Sequence, residues 1–224
     1  MEIIAKIYTS FKEKFGIPRQ AGLSSSKATI IFEKPYRCDD ALRGLEGYSH
    51  IWLLWQFSDI KRTSWSPTVR PPRLGGNTKM GVFATRSPYR PNPIGLSSVK
   101  LVEIKKTEDF GTVLIVEGAD ILDGTPIYDI KPYLAYTDSH PDAISGFADE
   151  VRDYSLEVEI PHDIQLRLTD REVCEIKEIL SNDPRPSYKD DGEMEYGMSY
   201  GQYNISFKVI NQLATVTKIE KVEN

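Results

Sequence analysis

A short segment, residues 79–98, holds the polar side chains of this chain that are best placed to bind a ligand. Arg86 and Arg90 lie in it, and three prolines accompany them: Pro88, Pro91 and Pro93. Proline fixes its own φ angle and pushes the preceding residue toward an extended conformation, so the segment is neither a helix nor a central strand. We predict a stiff loop that presents both guanidinium groups to an anion or a planar ligand. The alternative is an ordinary Pro-rich connector with solvated arginines.

Charge favours the ligand-binding interpretation. Residues 61–100 contain eight Lys or Arg and no Asp or Glu, whereas the whole chain has a net charge of −5. The eight positive charges of this block leave −13 on the remaining residues. A basic block in an acidic protein is typical of a surface that binds a phosphate-rich partner.

Strand-like sequences must position the loop. Residues 81–84 and 96–104 lie on either side of its prolines and are rich in β-branched and aromatic residues. Other short strands with turn signals between them are predicted over 2–9, 27–33, 48–57, 112–118 and 127–130. The run 48–57 lacks polar alternation, which predicts burial of both its faces. This pattern predicts a mainly β fold, with an N-terminal β-barrel as the favoured architecture over a sandwich.

The composition changes at residues 137–142, where polar and acidic residues become dense. We therefore predict two domains, residues 1–142 and residues 143–224. The second contains alternating strands and a helix that begins at the capping box of Thr169 and Glu172, so it is expected to be a small α+β domain. From the residues alone, the segment 183–186, Asp-Pro-Arg-Pro, is expected to be a helix stop.

Several classes of protein are excluded by missing motifs. The chain has no G-x-G-x-x-G after a strand, no P-loop sequence and no CxxC or HExxH spacing, so a Rossmann enzyme, a P-loop enzyme and a metal site are not expected. Two isolated cysteines, Cys38 and Cys174, suit reduced thiols in a cytoplasmic protein. No apolar run is long enough to span a bilayer. A second polar cluster, residues 123–126, is by itself best interpreted as a turn.

Several separated segments occur in the order found in a known family. They are residues 12–20, residues 70–97, the Asp-Gly-Thr-Pro turn with residues 129–133, and residues 183–188. These segments are spread along the chain, which resembles the bacterial tRNA adenosine N6-methyltransferases of the YaeB/TsaA-like family over nearly its whole length. The most specific match is residues 85–95.

The resemblance implies a TsaA-like β-barrel that uses S-adenosylmethionine, forms a homodimer and needs no metal. It also implies methylation at N6 of threonylcarbamoyladenosine next to the anticodon of tRNA. The residues that the resemblance places at the cofactor are Pro18, Arg19, Gln20, Ser58, Asp59, Arg86, Leu96, Asp123, Gly124, Thr125 and Pro126. Many members have His-Gln where this chain has Ser58 and Asp59.

Two further roles are hypotheses. Arg70, Arg73 and Arg90 are the candidates for contacts with tRNA phosphates. Methylation of N6 requires an acceptor for its proton, and Asp138 is the candidate acceptor. The alternatives are a module that binds RNA or S-adenosylmethionine without chemistry, and a methyltransferase for a small molecule or another RNA position.

Overall fold

The computed structural model describes residues 1–57, 64–74, 76–185 and 194–222. Its strands are β1 (Ala5–Tyr8), β2 (Lys27–Phe32), β3 (His50–Gln56), β4 (Thr68–Val69), β5 (Met80–Gly81), β6 (Ile94–Thr107), β7 (Gly111–Glu117), β8 (Thr125–Pro132), β9 (Glu157–Glu159), β10 (Glu195–Tyr200), β11 (Tyr203–Ile210) and β12 (Leu213–Lys221). Its α-helices are α1 (Ala135–Asp138), α2 (Phe147–Glu150), α3 (His162–Gln165) and α4 (Asp170–Ser181). Short 3-10 turns occupy Lys34–Tyr36, Asp39–Leu42, Leu45–Gly47, Pro72–Leu74 and Val82–Ala84. The prediction of a mainly β fold is confirmed.

Six strands of the first part of the chain pair in the order β1-β2-β7-β6-β3-β8, and β8 pairs with β1, so the sheet is a closed barrel. All pairs in this sheet are antiparallel. Inward-facing side chains alternate with outward-facing ones along each strand. In β3, Ile51, Leu53 and Trp55 are buried, whereas Trp52 and Leu54 are only half-buried. The prediction that both faces of this strand are buried is therefore wrong, because the barrel buries one face of each strand.

The strand predicted over residues 81–84 is also wrong. β5 ends at Gly81, and the chain then forms the 3-10 turn Val82–Ala84. Val82 is buried and its amide donates to the carbonyl of Pro67, which turns the chain away from the sheet before the Pro-rich loop. The predicted strands over 96–104 and 112–118 are present as β6 and β7, and they pair as an antiparallel hairpin.

The last part of the chain forms a second sheet in the order β10-β11-β12-β9, with α4 beside it. The capping box is confirmed, because the Thr169 side chain accepts from the Glu172 amide and the Glu172 carboxylate accepts from the Thr169 amide. Ile176, Ile179 and Leu180 of α4 are buried in the core of this sheet. The sequence pattern did not predict β10.

The two sheets have separate hydrophobic cores, and polar contacts join them. Ser26 at the edge of β2 hydrogen-bonds the Tyr200 hydroxyl of β10 at 2.7 Å, and Tyr200 donates to Glu175 of α4 at 2.7 Å. Phe11, from the segment after β1, packs in the core of the second sheet. The second sheet is thus held against the loops that follow β1. Within the described ranges, no helix is long and apolar enough to cross a membrane.

Candidate functional site

The Pro-rich loop, residues 85–93, connects the turn after β5 to the start of β6. Arg90 fastens the loop to that turn, because its guanidinium group donates to the carbonyls of Val82 at 3.0 Å and Thr85 at 2.7 Å. The same guanidinium group lies 5.5 Å from the centre of the Phe83 ring, a cation–π contact. Arg90 is therefore engaged in holding the loop, whereas Arg86 is exposed.

A cleft of about 540 Å³ lies beside this loop. Its volume falls within the range of about 300–1,000 Å³ that is usual for small-molecule sites. Its walls come from the segment 14–20, the end of β3, the Pro-rich loop, the start of β6 and the segment 120–125. The side chains of Trp52, Trp55 and Phe57 supply aromatic surface, and the cationic lining residues are Lys14, Arg19, Arg86 and Arg90.

Most of the residues predicted to bind the cofactor meet at this cleft. Pro18, Arg19, Gln20, Arg86 and Leu96 all line it. Arg86 donates a hydrogen bond to the side-chain oxygen of Gln20, so two motifs far apart in the sequence are in direct contact. The geometry brings cations, an amide and aromatic rings into one small cleft. The assignment of these residues to the cofactor stays a prediction.

One residue of the Asp-Gly-Thr-Pro turn, which is predicted to bind the cofactor, lies at the cleft. Thr125 lines the cleft, but Asp123 is bonded away from it. The Asp123 carboxylate accepts from the Thr9 amide at 2.8 Å and from the Lys12 ammonium at 2.7 Å. The turn is therefore fastened to the end of β1. Ser58, Asp59 and the side chain of Arg73 lie outside the described residues.

Arg19 joins the cleft to the last part of the chain. Its guanidinium group donates to the carbonyls of Asp183 at 3.2 Å and Arg185 at 2.9 Å. Arg185 in turn forms a two-pronged ion pair with Asp183, both contacts at 2.8 Å, and Tyr154 donates to the same carboxylate at 2.8 Å. Both side chains of the pair are buried. Residues 183–185 of this segment thus connect the last part of the chain to the cleft, in addition to following the end of α4.

The buried pair of Asp183 and Arg185 shifts the pKa values of Asp183 and of its neighbour Tyr154. Burial favours the neutral form of Asp183, but the hydrogen bonds from Arg185 and Tyr154 outweigh burial and lower the pKa of Asp183. Burial and the bond to Asp183 raise the pKa of Tyr154 to about 12. The carboxylate is therefore charged in the folded protein at neutral pH.

Asp120 is a cleft residue that the sequence pattern did not identify. It follows β7 and lies between the buried residues Ala119 and Ile121. Its carboxylate accepts from the Ser97 hydroxyl at 2.6 Å, and Ser97 accepts from the Trp55 indole at 3.0 Å. Burial raises the pKa of Asp120 above its ordinary value, although Ser97 and Arg86 oppose this. The signal in the sequence was an acidic residue placed directly between the apolar residues Ala119 and Ile121.

Asp138 is not among the described residues that line the cleft. Its Oδ2 accepts from the Leu134 amide and from the Trp52 indole, both at 2.9 Å. These two bonds, the backbone bond first, hold the pKa of Asp138 below its ordinary value. Because Trp52 lines the cleft, Asp138 holds one wall of it. Its predicted role as a proton acceptor stays a prediction.

A larger groove of about 1230 Å³ adjoins the cleft and shares Arg19, Gln20 and part of the Pro-rich loop with it. Arg70 and Lys79 add two further cations, and its described lining includes no Asp or Glu. Phe83, which is 70% exposed, stands in the groove and stacks with Trp65 at a ring separation of 6.4 Å. Basic groups and exposed rings side by side suit an RNA chain. In the part of the chain that the structure describes, no cluster of possible metal ligands occurs.

Known proteins share both parts of this chain. Residues 6–139 match the tRNA-methyltransferase O N-terminal domain, and residues 153–222 match the TrmO C-terminal domain. A tRNA (adenine(37)-N6)-methyltransferase of Escherichia coli K12 is 43% identical over 215 residues, 93% of this chain and 90% of that protein. A protein of Methanothermobacter thermautotrophicus called a probable S-adenosyl-L-methionine-binding protein is 38% identical over 136 residues, 61% of this chain and 90% of its own.

The fold is also shared with a solved structure. TrmO from Pseudomonas aeruginosa superimposes with a TM-score of 0.74 at 32% sequence identity, covering 97% of each chain. Because the N-terminal match alone spans more than half of the residues, the chain belongs to the tRNA-methyltransferase O family.

Proposed function

We propose that this protein is an S-adenosylmethionine-dependent tRNA methyltransferase. It methylates N6 of threonylcarbamoyladenosine at position 37, next to the anticodon, and forms N6-methyl-N6-threonylcarbamoyladenosine. The observation that carries the proposal is the direct contact of Arg86 with Gln20 at the wall of a cleft of suitable size. Support comes from the 43% identity with the E. coli tRNA (adenine(37)-N6)-methyltransferase over most of both chains.

The cleft fits S-adenosylmethionine in its chemistry. Arg19 and Arg86 suit the carboxylate of the cofactor, and the aromatic walls suit its adenine ring. When bound, S-adenosylmethionine supplies an electrophilic methyl group on a positively charged sulfur. The proposed binding residues are Pro18, Arg19, Gln20, Ser58, Asp59, Arg86, Leu96, Asp123, Gly124, Thr125 and Pro126. Among these, Asp123 acts by holding the turn against β1, as its bonds to Thr9 and Lys12 indicate.

The protein's main contribution to rate is positioning. Holding two reactants in line can lower a barrier by about 7–11 kcal/mol. The stiff Pro-rich loop and the bridge from Arg19 to the last part of the chain keep the cleft walls in fixed places before a ligand arrives. Asp138 contributes by fixing Trp52 at the wall.

The larger groove is the proposed tRNA surface. Arg70 and Arg73 contact phosphates, and the exposed rings of Phe83 and Trp65 offer a stacking surface for an unpaired base. Arg90 contributes indirectly, because its guanidinium group holds the Pro-rich loop in place. This division of roles follows from the two loop carbonyls that already accept from the Arg90 guanidinium group.

Removing the charge of Arg70 should weaken tRNA binding and its salt dependence. We expect the plot of log affinity against log salt concentration for Arg70→Gln to be less steep by about one unit, because one phosphate contact is lost. Filter binding of tRNA at several salt concentrations measures this slope. Lys218→Gln, an exposed residue of β12, is the matched control and should leave the slope unchanged. An unchanged slope for Arg70→Gln would remove Arg70 from the interface.

The proposed domains are residues 1–142, the TsaA-like catalytic barrel, and residues 143–224, a companion α+β domain. The two separate hydrophobic cores support this division.

We also propose a cytoplasmic homodimer. The homodimer is the assembly that the resemblance to the family implies. Light scattering of the purified protein tests the dimer.

The proposed reaction is tested by methyl transfer from labelled S-adenosylmethionine to tRNA from cells that lack this gene. One pool carries the threonylcarbamoyl modification and the other lacks it. We expect label in the modified pool alone. Equal label in both pools would mean another RNA position. No label in either pool, with cofactor binding intact, would favour a binding module or a methyltransferase for a small molecule.

A further inference from the structure

Asp120 is the one carboxylate among the described residues that line the cleft. Four cationic side chains line the same cleft, so the presence of a single carboxylate among them suggests a specific role for it. Its neighbours Ala119 and Ile121 are buried and fix the backbone, and Ser97, which is 2% exposed, fixes the carboxylate from below. Buried chain neighbours and the hydrogen bond from Ser97 therefore fix the position of Asp120 in the cleft.

The hydrogen bonds from Trp55 to Ser97 and from Ser97 to Asp120 have only one possible direction. An indole N–H can donate but cannot accept, so the Ser97 oxygen accepts from Trp55 and the Ser97 hydrogen points to Asp120. The carboxylate is thus held as an acceptor. An ionised carboxylate has about four lone-pair sites, so it can accept a further hydrogen bond from the cleft side.

We propose that Asp120 accepts the proton that leaves N6 of the target adenosine during methyl transfer, an inference that rests on the proposed function. The N6 lone pair forms a bond to the methyl carbon, while the carbon–sulfur bond breaks and its electron pair remains on sulfur. The N6 proton moves to the Asp120 carboxylate. The products are the methylated adenosine, S-adenosylhomocysteine and a neutral Asp120, which loses its proton to water after release.

The electrostatics of the cleft suit this role better than they suit Asp138. Burial makes the Asp120 carboxylate a stronger base, whereas two hydrogen bonds make Asp138 a weaker one. The reaction itself also makes the carboxylate more basic, because the positive charge on sulfur disappears as the bond to carbon breaks. A carboxylate close to that charge then accepts a proton more easily.

The direct test is Asp120→Asn, which keeps the size of the side chain and an oxygen that can accept from Ser97. We expect kcat for modified tRNA to fall about 10²- to 10⁴-fold, the usual range for loss of an acid–base group. Binding of S-adenosylmethionine and of S-adenosylhomocysteine, measured by titration calorimetry without tRNA, should change by the same factor. A loss confined to S-adenosylmethionine would overturn the proposal, because it would make Asp120 a partner for the positive sulfur.

A second variant tests the chain of hydrogen bonds without removing the carboxylate. Ser97→Ala removes a bond that stabilises the charged form, so the pKa of Asp120 should rise. The decline of kcat at low pH should then begin at a higher pH than in the wild type. The matched control is Ser206→Ala in β11, which should leave the pH profile in place. An unmoved profile in Ser97→Ala would overturn the proposal.

Failure of this inference can be told apart from failure of the proposed function. If the wild type methylates modified tRNA and Asp120→Asn is equally fast, only the role of Asp120 is wrong. If the wild type methylates no tRNA, the proposed function fails and the role of Asp120 fails with it.

Discussion

Replacing Arg185 by alanine is expected to destabilise the protein by about 3–5 kcal/mol, because it leaves the fully buried Asp183 carboxylate without its cation. The Asp183 turn would then rearrange, and its carbonyl would no longer accept from Arg19 in the same place. We expect affinity for S-adenosylmethionine to fall roughly tenfold, or about 1.4 kcal/mol. Urea unfolding followed by circular dichroism and a binding titration measure the two effects.

The exposed pair of Lys218 and Glu220 provides the control, since both side chains are more than half exposed. Lys218→Ala should change the free energy of unfolding by less than about 1 kcal/mol. A double variant, Asp183→Asn with Arg185→Met, should be more stable than Arg185→Ala alone, because no buried charge is left unpaired. If Arg185→Ala bound the cofactor like the wild type, the bridge through Arg19 would have no role in the cleft.

The same pair makes a prediction for pH. The pKa of Asp183 is lower in the folded protein than in the unfolded chain. Its contribution to stability is therefore fully present above the unfolded pKa of about 3.9 and is lost as the pH falls through the folded pKa. The free energy of unfolding of the wild type should decrease at acidic pH more steeply than that of the double variant.

The sequence predicted the features that local chemistry determines. The helix start at Thr169 depends on two side chains three residues apart, and the stiffness of the loop around Arg86 depends on its prolines. Most strands of the barrel, β6 and β7 among them, could be located within a few residues from runs of β-branched and aromatic residues. The family motifs then predicted that residues 18–20 and Arg86 share a site.

The features that the sequence did not predict depend on contacts between distant segments. Asp120 is functional only because β6 brings Ser97 beneath it and β3 brings Trp55 beneath Ser97. Arg86 and Arg90 are both arginines of the same loop, so the sequence does not distinguish them. In the structure, Arg90 bonds the turn after β5, whereas Arg86 bonds Gln20 at the cleft. Residues 183–185 follow the end of α4, and their carbonyls also accept from Arg19. The second role depends on the packing of the second sheet against the loops that follow β1, which the sequence does not show.

Gly95→Ala is expected to lower both the stability of the protein and its affinity for S-adenosylmethionine, although it adds only one methyl group. Gly95 pairs with Trp55 across β6 and β3, and a Cβ atom there would lie 2.2–2.5 Å from atoms of the Trp55 ring. Trp55 is 6% exposed, so its ring can move only by displacing neighbours. We expect Gly95→Ala to cost about 1–3 kcal/mol from overpacking and about 1 kcal/mol from the weakened bond to Ser97.

The measurement can be confined to the first part of the chain, because all three tryptophans lie between residues 52 and 65. Urea unfolding of Gly95→Ala followed by tryptophan fluorescence should show a lower midpoint. A binding titration should show weaker binding of S-adenosylmethionine, since Trp55 lines the cleft.

Gly197→Ala in β10 is the matched control, because no atom lies within 4 Å of a Cβ built there. This variant should be as stable as the wild type or slightly more so, by up to about 1 kcal/mol, because alanine restricts the unfolded chain. A Gly95→Ala protein with the stability and cofactor affinity of the control would mean that the Trp55 ring is free to move. The hydrogen bonds from Trp55 through Ser97 would then not fix Asp120, and the argument for its role would lose its structural basis.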